Sequence, residues 1–345
     1  MLQEFRKRLL AWFDENKRNL PWRKNRTPYK IWLSEIILQQ TRVQQGLPYY
    51  QRFIEKYPSV DKLAKADQQE VLKMWQGLGY YSRARNLHTA AQQVMEEFGG
   101  YFPSGYKDLK KLKGVGDYTA SAISSFATDE KVPVLDGNVK RVLSRIYNES
   151  TPINTSKGEK TFHSLAEKTL DPDYPGKFNE AIMEFGALQC TVNPKCTICP
   201  VSSYCEAFQQ GTQKHLPVKE KPRPRKDRFF HYFLVEKNQC ILLQKRQAGD
   251  IWEGLFELPL TETQSKTTDF AKIPEFQSTD PDKIRYLCSY EHILTHRRII
   301  ASFYEIKAEN LTGVFENSFW AALEKVDKYP FPKLIENFFS EKHPH

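Results

Sequence analysis

Four cysteines, Cys190, Cys196, Cys199 and Cys205, fall within sixteen residues in the pattern C-x5-C-x2-C-x5-C. Thiols packed this densely, in a chain expected to stay in a reducing cytoplasm, point to a metal centre closed by the chain around itself, since disulfides are rare there. The compartment follows from the first residues, MLQEFRKRLLAWFDENKR, which are charged throughout and lack the apolar core and small-residue cleavage site of a secretory signal. No window approaches 18 uninterrupted apolar residues, so no membrane span is expected. Four thiolates at this spacing suit a tetrahedral zinc or a cubane iron–sulfur cluster equally, and spacing alone leaves the choice open. Cys240 and Cys288 lie apart, in strand-like segments, and are expected to be inert core thiols.

Up to the cysteines the chain reads as helix after helix. Apolar residues recur at three- and four-residue steps over 67–75, 81–97, 118–126 and 139–147, with no alternating strand before residue 225. The stretch LPVKEKPRPRKD, 216–227, has three prolines among charges; it cannot build a core and reads as a semi-extended linker. Beyond it, short strands are expected over 229–235, 240–244, 284–288 and 299–306, with helices near 319–326 and 333–339. The 345 residues thus divide into a helical domain, 1–215, a linker, 216–227, and a small α+β domain, 228–345. A net charge of +9 suits a polyanionic partner, because neutralising phosphates releases condensed counterions.

Two local features carry chemistry. In LKGVGDYTA, residues 112–120, a helix expected over 107–112 runs into Gly114, Val115 and Gly116 before a second helix begins near Asp117. Glycines allow a tight turn and a helix N-terminus offers free amides, a combination suited to holding a DNA phosphate; a plain helix–helix turn reads the same way. Fourteen residues beyond Ala120, VLDGNVKRVL opens another helix, with Asp136 placed as a candidate N-cap. Separately, Glu35 sits among Ile31, Trp32, Leu33, Ile36, Ile37 and Leu38, a helix apolar on nearly every side and therefore buried. A carboxyl there, unlike a solvated surface glutamate, has a raised pKa and holds a proton near neutral pH, as a general acid must.

LKGVGDYTA, VLDGNVKRVL and the four cysteines together resemble the helix-hairpin-helix DNA glycosylase superfamily of endonuclease III and MutY. Leu20-Pro21-Trp22-Arg23, the run from Trp32 to Thr41, and the run from Gly77 to His88 resemble the MutY branch, so that the likeness covers most of residues 1–215. The resemblance implies a 4Fe–4S cluster on Cys190, Cys196, Cys199 and Cys205, although the first spacing is one residue shorter than the family's. It implies DNA gripping by Gly114, Val115 and Gly116. Lyase-type members carry a lysine nucleophile where Tyr118 stands here, so a monofunctional glycosylase, or one with weak lyase activity, is implied. By the same resemblance Glu35 protonates the base, Asp136 stabilises or attacks the sugar cation, and Tyr118 and Asn138 support the two carboxylates. Trp22, Arg23 and Glu180 would line an adenine pocket, while Gln40 and Tyr80 would push into the duplex at the lesion; the alternative for Tyr80 is a core aromatic.

The C-terminal run from Gln244 to Pro259 resembles the Nudix-like domain of MutY, but LTETQSKTTDF follows where a working Nudix hydrolase has its glutamate-rich magnesium box. A recognition role is expected instead. His292-Ile293-Leu294-Thr295-His296 aligns with the loop that inspects 8-oxoguanine, with Leu294 and Thr295 in place of Phe and Ser; Thr295 keeps a hydroxyl, and His296 has the alternative of a buried strand histidine. The expected fold is therefore multidomain: an all-α helix-hairpin-helix glycosylase domain with an iron–sulfur loop over 190–205, then an α+β Nudix-like domain. The expected partner is double-stranded DNA containing A:8-oxoG or A:G mispairs, met by a monomer in the bacterial cytoplasm at the nucleoid. An endonuclease III-type pyrimidine glycosylase is disfavoured by Tyr118 and the extra domain. A non-catalytic cluster-bearing DNA binder would need neither Glu35 nor Asp136, and a nucleotide pyrophosphatase lacks its acidic box.

Overall fold

The computed structural model describes residues 2–221, 224–266, 269–273, 276, 279–311, 313 and 315–342. It divides into two compact units: residues 1–65 with 86–221, and residues 66–85 with 222–345. Residues 66–85, assigned to the first domain by sequence, thus pack with the C-terminal part.

The first unit is helical throughout. Phe5, Leu9 and Phe13 of helix Leu2–Asn16 pack on Phe178, Ile182 and Phe185 of helix Pro175–Leu188 and on Val139, Val142 and Leu143 of helix Gly137–Ile146. Helix Pro28–Leu38 starts with Pro28 at its first turn and the Thr27 hydroxyl accepting from the Lys30 amide; every residue from Tyr29 to Ile37 except Lys30 is buried. It lies against helix Asp117–Thr128, whose facing residues, Thr119 to Ser125, are mostly small, so the two backbones approach closely. The expected helix over 107–112 shortens to Tyr106–Leu109 and gives way to turns before Gly114. The expected linker is partly built into this unit as well: Leu216 is buried, and the Val218 carbonyl accepts from the Ile153 amide.

The second unit is a mixed sheet of β1 (Lys226–Lys237), β2 (Cys240–Lys245), β3 (Phe256–Glu257), β4 (Leu260–Thr263), β5 (Arg285–Ile293), β6 (Arg297–Lys307) and β7 (Ser318–Ala322). β1 runs parallel to β6 and antiparallel to β2 and β4; β5 is antiparallel to β6, and β7 to β2. Alternation along β1 buries both faces: Phe230, Tyr232 and Leu234 join one core with helix Lys333–Lys342, and Phe233 and Val235 join another with Phe276 and Phe315. The helix expected at 319–326 is strand β7 followed by a 3-10 turn. Phe319 and Ala321 face the core while Trp320 points outward, a period of two that pairing with β2 enforces. Cys240 and Cys288 lie on strands as expected; each is half-buried, and Cys288 packs against the core of the sheet.

Candidate active site

Helix Pro28–Leu38 ends sharply, because Gln40 takes a left-handed φ of 57° and turns the chain out over a pocket. Arg18, Trp22, Arg23, Glu35, Gln39, Gln40, Tyr118, Asp136, Asn138, Glu180 and Glu184 line that pocket, whose volume is about 450 Å³, within the ordinary range for small-molecule sites. Trp22, Arg23, Glu35, Gln40, Tyr118, Asp136, Asn138 and Glu180, all singled out by sequence, are therefore brought together within the first unit.

The two carboxylates differ in their surroundings. Glu35 is 7% exposed, and Tyr118 donates its hydroxyl proton to Oε2 at 2.7 Å. Burial raises the Glu35 pKa to about 7; the Tyr118 hydrogen bond opposes the rise, while the carboxylates of Asp136 and Glu180 add to it. Asp136 is the N-cap of helix Gly137–Ile146, accepting from the Val139 amide at 2.7 Å and from Asn138 Nδ2 at 2.8 Å. Burial also raises its pKa, but these donors and Arg141 favour the charged form. The cap reading and the catalytic reading of Asp136 thus describe one geometry: capping fixes Oδ1 and leaves Oδ2 on Asn138.

Residues that the motifs did not mark support this arrangement. Glu184 binds Arg18 at 2.8 and 2.7 Å and Arg23 at 3.2 and 3.1 Å; burial pushes its pKa up, yet the two guanidiniums prevail and hold it at about 2. Arg23 Nε also reaches Glu180 Oε1 at 3.2 Å. Asn179 anchors the approach to Asp136: its amide donates to Ser125 Oγ and the Val132 carbonyl, and its carbonyl accepts from the Val134 amide. Arg141 donates to Asn138 Oδ1 at 2.8 Å and to the Cys190 carbonyl at 2.8 Å. Helix Pro175–Leu188 crosses so closely that a Cβ on Gly186 would stand 2.7 Å from Asn138 Cβ and 3.0 Å from its carbonyl oxygen. Long-range partners of this kind leave no local signature, so Glu184, Arg18, Asn179 and Arg141 went unmarked in the sequence.

The cysteine loop follows helix Pro175–Leu188. Cys190, Cys196, Cys199 and Cys205, all free thiols, line a single cavity with Val142, Ile146, Phe185, Val201 and Phe208. Burial pushes Cys199 up to about 12, with repulsion from the other three thiols adding to the rise. Among the described residues no three His, Cys, Asp or Glu side chains form a ready single-ion site. Four soft sulfurs lining one cavity are a donor set that suits a tetrahedral zinc or a cubane iron–sulfur cluster. Arg145 braces the loop, donating to the carbonyls of Thr191 (2.6 Å), Val192 (3.2 Å) and Gln213 (2.9 Å) and to Cys190 Sγ (3.3 Å).

At the hairpin, Gly114 adopts a φ of 77°, and a Cβ there would meet Asn86 Cβ at 2.7 Å. Val115 is buried and pins the turn, Gly116 caps helix Asp117–Thr128, and Lys110 pairs with Asp117 in the first turn of that helix.

In the second unit Tyr80 is 53% exposed with a left-handed φ of 48°, which sets aside the core-aromatic alternative. Its hydroxyl lies 2.8 Å from Thr295 Oγ1. Thr295 and His296 are exposed in the turn between β5 and β6, so His296 is no buried strand histidine, whereas Leu294 packs on the core.

Residues 33–168 match the HhH-GPD superfamily of base excision DNA repair proteins, and residues 231–341 match the NUDIX domain. An adenine DNA glycosylase of Buchnera aphidicola subsp. Schizaphis graminum is 37% identical over 342 residues, covering 96% of this chain and 96% of that protein. The chain belongs to the adenine DNA glycosylase family. It is accordingly a base excision repair enzyme, a DNA N-glycosylase with DNA as its partner. Among solved structures, a thermostable thymine-DNA glycosylase superposes with a TM-score of 0.56 at 30% identity, over 61% of this chain and 97% of that one. A non-covalent endonuclease III–DNA complex gives 0.53 at 20% identity, over 62% and 99%, and shows a common fold. Among the described residues no helix is long and apolar enough to cross a membrane.

Proposed function

We propose that this glycosylase removes adenine mispaired with 8-oxoguanine, or with guanine, from double-stranded DNA. The observation that carries the reading is the pairing, in one pocket, of a buried Glu35 with a pKa of about 7 and a capped, hydrogen-bonded Asp136. Adenine leaves only when its imidazole ring is protonated, and its glycosidic bond is out of reach until the nucleotide is flipped from the stack. Tyr118 occupies Oε2 of Glu35, so the acidic proton is carried on Oε1. Glu35 delivers that proton to a ring nitrogen of the base, the C1′–N9 electron pair departs with adenine, and the sugar becomes oxocarbenium-like. Asp136 Oδ2 then stabilises the cation or bonds to C1′, and the Glu35 carboxylate takes a proton from the water that completes hydrolysis. Trp22, Arg23 and Glu180 shape the base pocket, Gln40 and Tyr80 enter the duplex, and Thr295 and His296 read the 8-oxoguanine. Gly114, Val115 and Gly116 hold a backbone phosphate.

No lysine stands at Tyr118, which supports base removal without strong strand cleavage. The four cysteines would hold a 4Fe–4S cluster, which when bound supplies iron–thiolate bonds that staple the 190–205 loop. Action as a monomer at the bacterial nucleoid in the cytoplasm completes the reading. The test is single-turnover cleavage of a duplex with adenine opposite 8-oxoguanine, with and without alkali, beside guanine and thymine pairs. Breaks only after alkali, fastest opposite 8-oxoguanine, are expected; no abasic site at any adenine pair would overturn the proposal.

A further inference from the structure

The Nudix-like run Trp252–Gly254 has no magnesium box behind it, so its role must lie elsewhere. In the second unit it meets residues 66–85. Arg85 Nη1 donates to the Glu253 carbonyl at 2.6 Å, and Nη2 stands 3.3 Å from Glu253 Oε2. A methyl on Gly254 would sit 3.6 Å from Leu72 Cδ1 and 3.9 Å from Arg85 Cδ, which places both side chains over that turn. Two further ties run to the same segment: Lys73 Nζ donates to the Tyr329 carbonyl at 3.3 Å, and Tyr81 Oη to the Phe331 carbonyl at 3.2 Å. Arg83 lies with its guanidinium 5.6 Å from the centre of the Tyr80 ring and donates to the Gly79 carbonyl at 3.2 Å. The exposed Tyr80 turn is thus fastened at both ends to the sheet unit, with its hydroxyl on Thr295.

We propose that Trp252–Gly254 serves as a docking platform for the Tyr80 turn, and that Arg85, through Glu253, is a positioning residue that sets Tyr80 against Thr295 before DNA arrives. The inference rests on the reading of Tyr80 and Thr295 as the residues that meet the lesion. Both ends of the Arg85 fork are engaged by Glu253, and a fixed strut of this kind lowers the ordering cost of recognition.

The test compares single-turnover rates at A:8-oxoG and A:G duplexes for the full chain and for Arg85→Met, which keeps the stem and removes the fork. The ratio of the two rates should fall about tenfold while the A:G rate stays put, the size of coupling expected between residues sharing one network. Arg85→Lys should restore most of the ratio, and in a Tyr80→Ala background Arg85→Met should cost nothing further. An unchanged ratio in Arg85→Met, or an additive loss in the Tyr80→Ala background, overturns the proposal. A second readout is independent of lesion preference: 2-aminopurine beside the opposing base reports insertion of the Tyr80 ring by fluorescence. Arg85→Met should weaken that signal as Tyr80→Ala does, and an undiminished signal overturns the strut even if the unaltered chain shows no preference for 8-oxoguanine, an outcome that would instead refute the lesion reading.

Discussion

The Glu35 pocket and the Tyr80–Thr295 surface are built by opposite means. In the first, Glu35 is buried and held by Tyr118 of another helix, Asp136 is half-buried and held by Asn138 and Val139 of the helix it caps, and burial raises the pKa of both. In the second, two exposed hydroxyls on turns meet each other, and the backbone beneath them is what is held. Chemistry needs a shifted proton and therefore burial; inspection of a base needs groups that water and DNA both reach. Mutational effects should divide along the same line, with large losses of rate in the pocket and modest losses of selectivity at the surface.

The sharpest division comes from Glu35→Gln. Excision should fall by about 10³-fold or more, the range of a general acid that also prepares water, while binding to a mispaired duplex persists; retained turnover in a single-turnover assay would dissolve the contrast. Asp136 separates chemistry from folding. Asp136→Asn keeps an acceptor for the Val139 amide and should lose most of the rate with little change in Tm, whereas Asp136→Ala should also lose the helix cap, about 1 kcal/mol. Calorimetry beside kinetics distinguishes the two.

Gly186→Val asks whether the pocket depends on packing outside it. A side chain there must displace Asn138, so both stability and excision should drop, whereas Gly→Val on an exposed helix face would leave excision untouched. The pH dependence sharpens the comparison further. Glu35 works protonated, so the rate should fall as pH rises through about 7. Because its folded pKa is raised, its contribution to stability is fully present below the unfolded value near 4.5 and is lost as pH rises to about 7; Glu35→Gln should therefore melt higher than the parent at pH 8 but not at pH 4. Tyr118→Phe removes a hydrogen bond that lowers the Glu35 pKa, so the alkaline limb should move to higher pH, with a rate loss of about tenfold. Smallest of all, Thr295→Val should lower the preference for 8-oxoguanine over guanine by a few-fold, about 1 kcal/mol for one hydroxyl, with the A:G rate unchanged.

Much of the pocket was legible in the chain. An acid inside an apolar helix, an aspartate at a helix start and a glycine hairpin are local patterns, and local patterns survive in sequence because their spacing is their geometry. Glu184, Arg18, Asn179, Arg141 and Arg145 were not legible. Each is an ordinary polar residue until a partner forty-five or more positions away is folded against it. The helix expected over 319–326 failed for a related reason: Ser318–Ala322 is short enough that pairing with β2 outweighs its own preference.

Sequence by itself determined the two-part composition, the cysteine spacing, the acid in its apolar helix and the missing Nudix acidic box, because all of these are properties of neighbouring residues. Only the tertiary structure decided that Tyr118 would sit on Glu35, that two arginines would hold Glu184 charged, and that residues 66–85 would pack with the sheet rather than with the helices that flank them in the chain. The physical reason is common to all three. Desolvation and long-range hydrogen bonding act on distances through space, and those distances do not exist until the chain has closed.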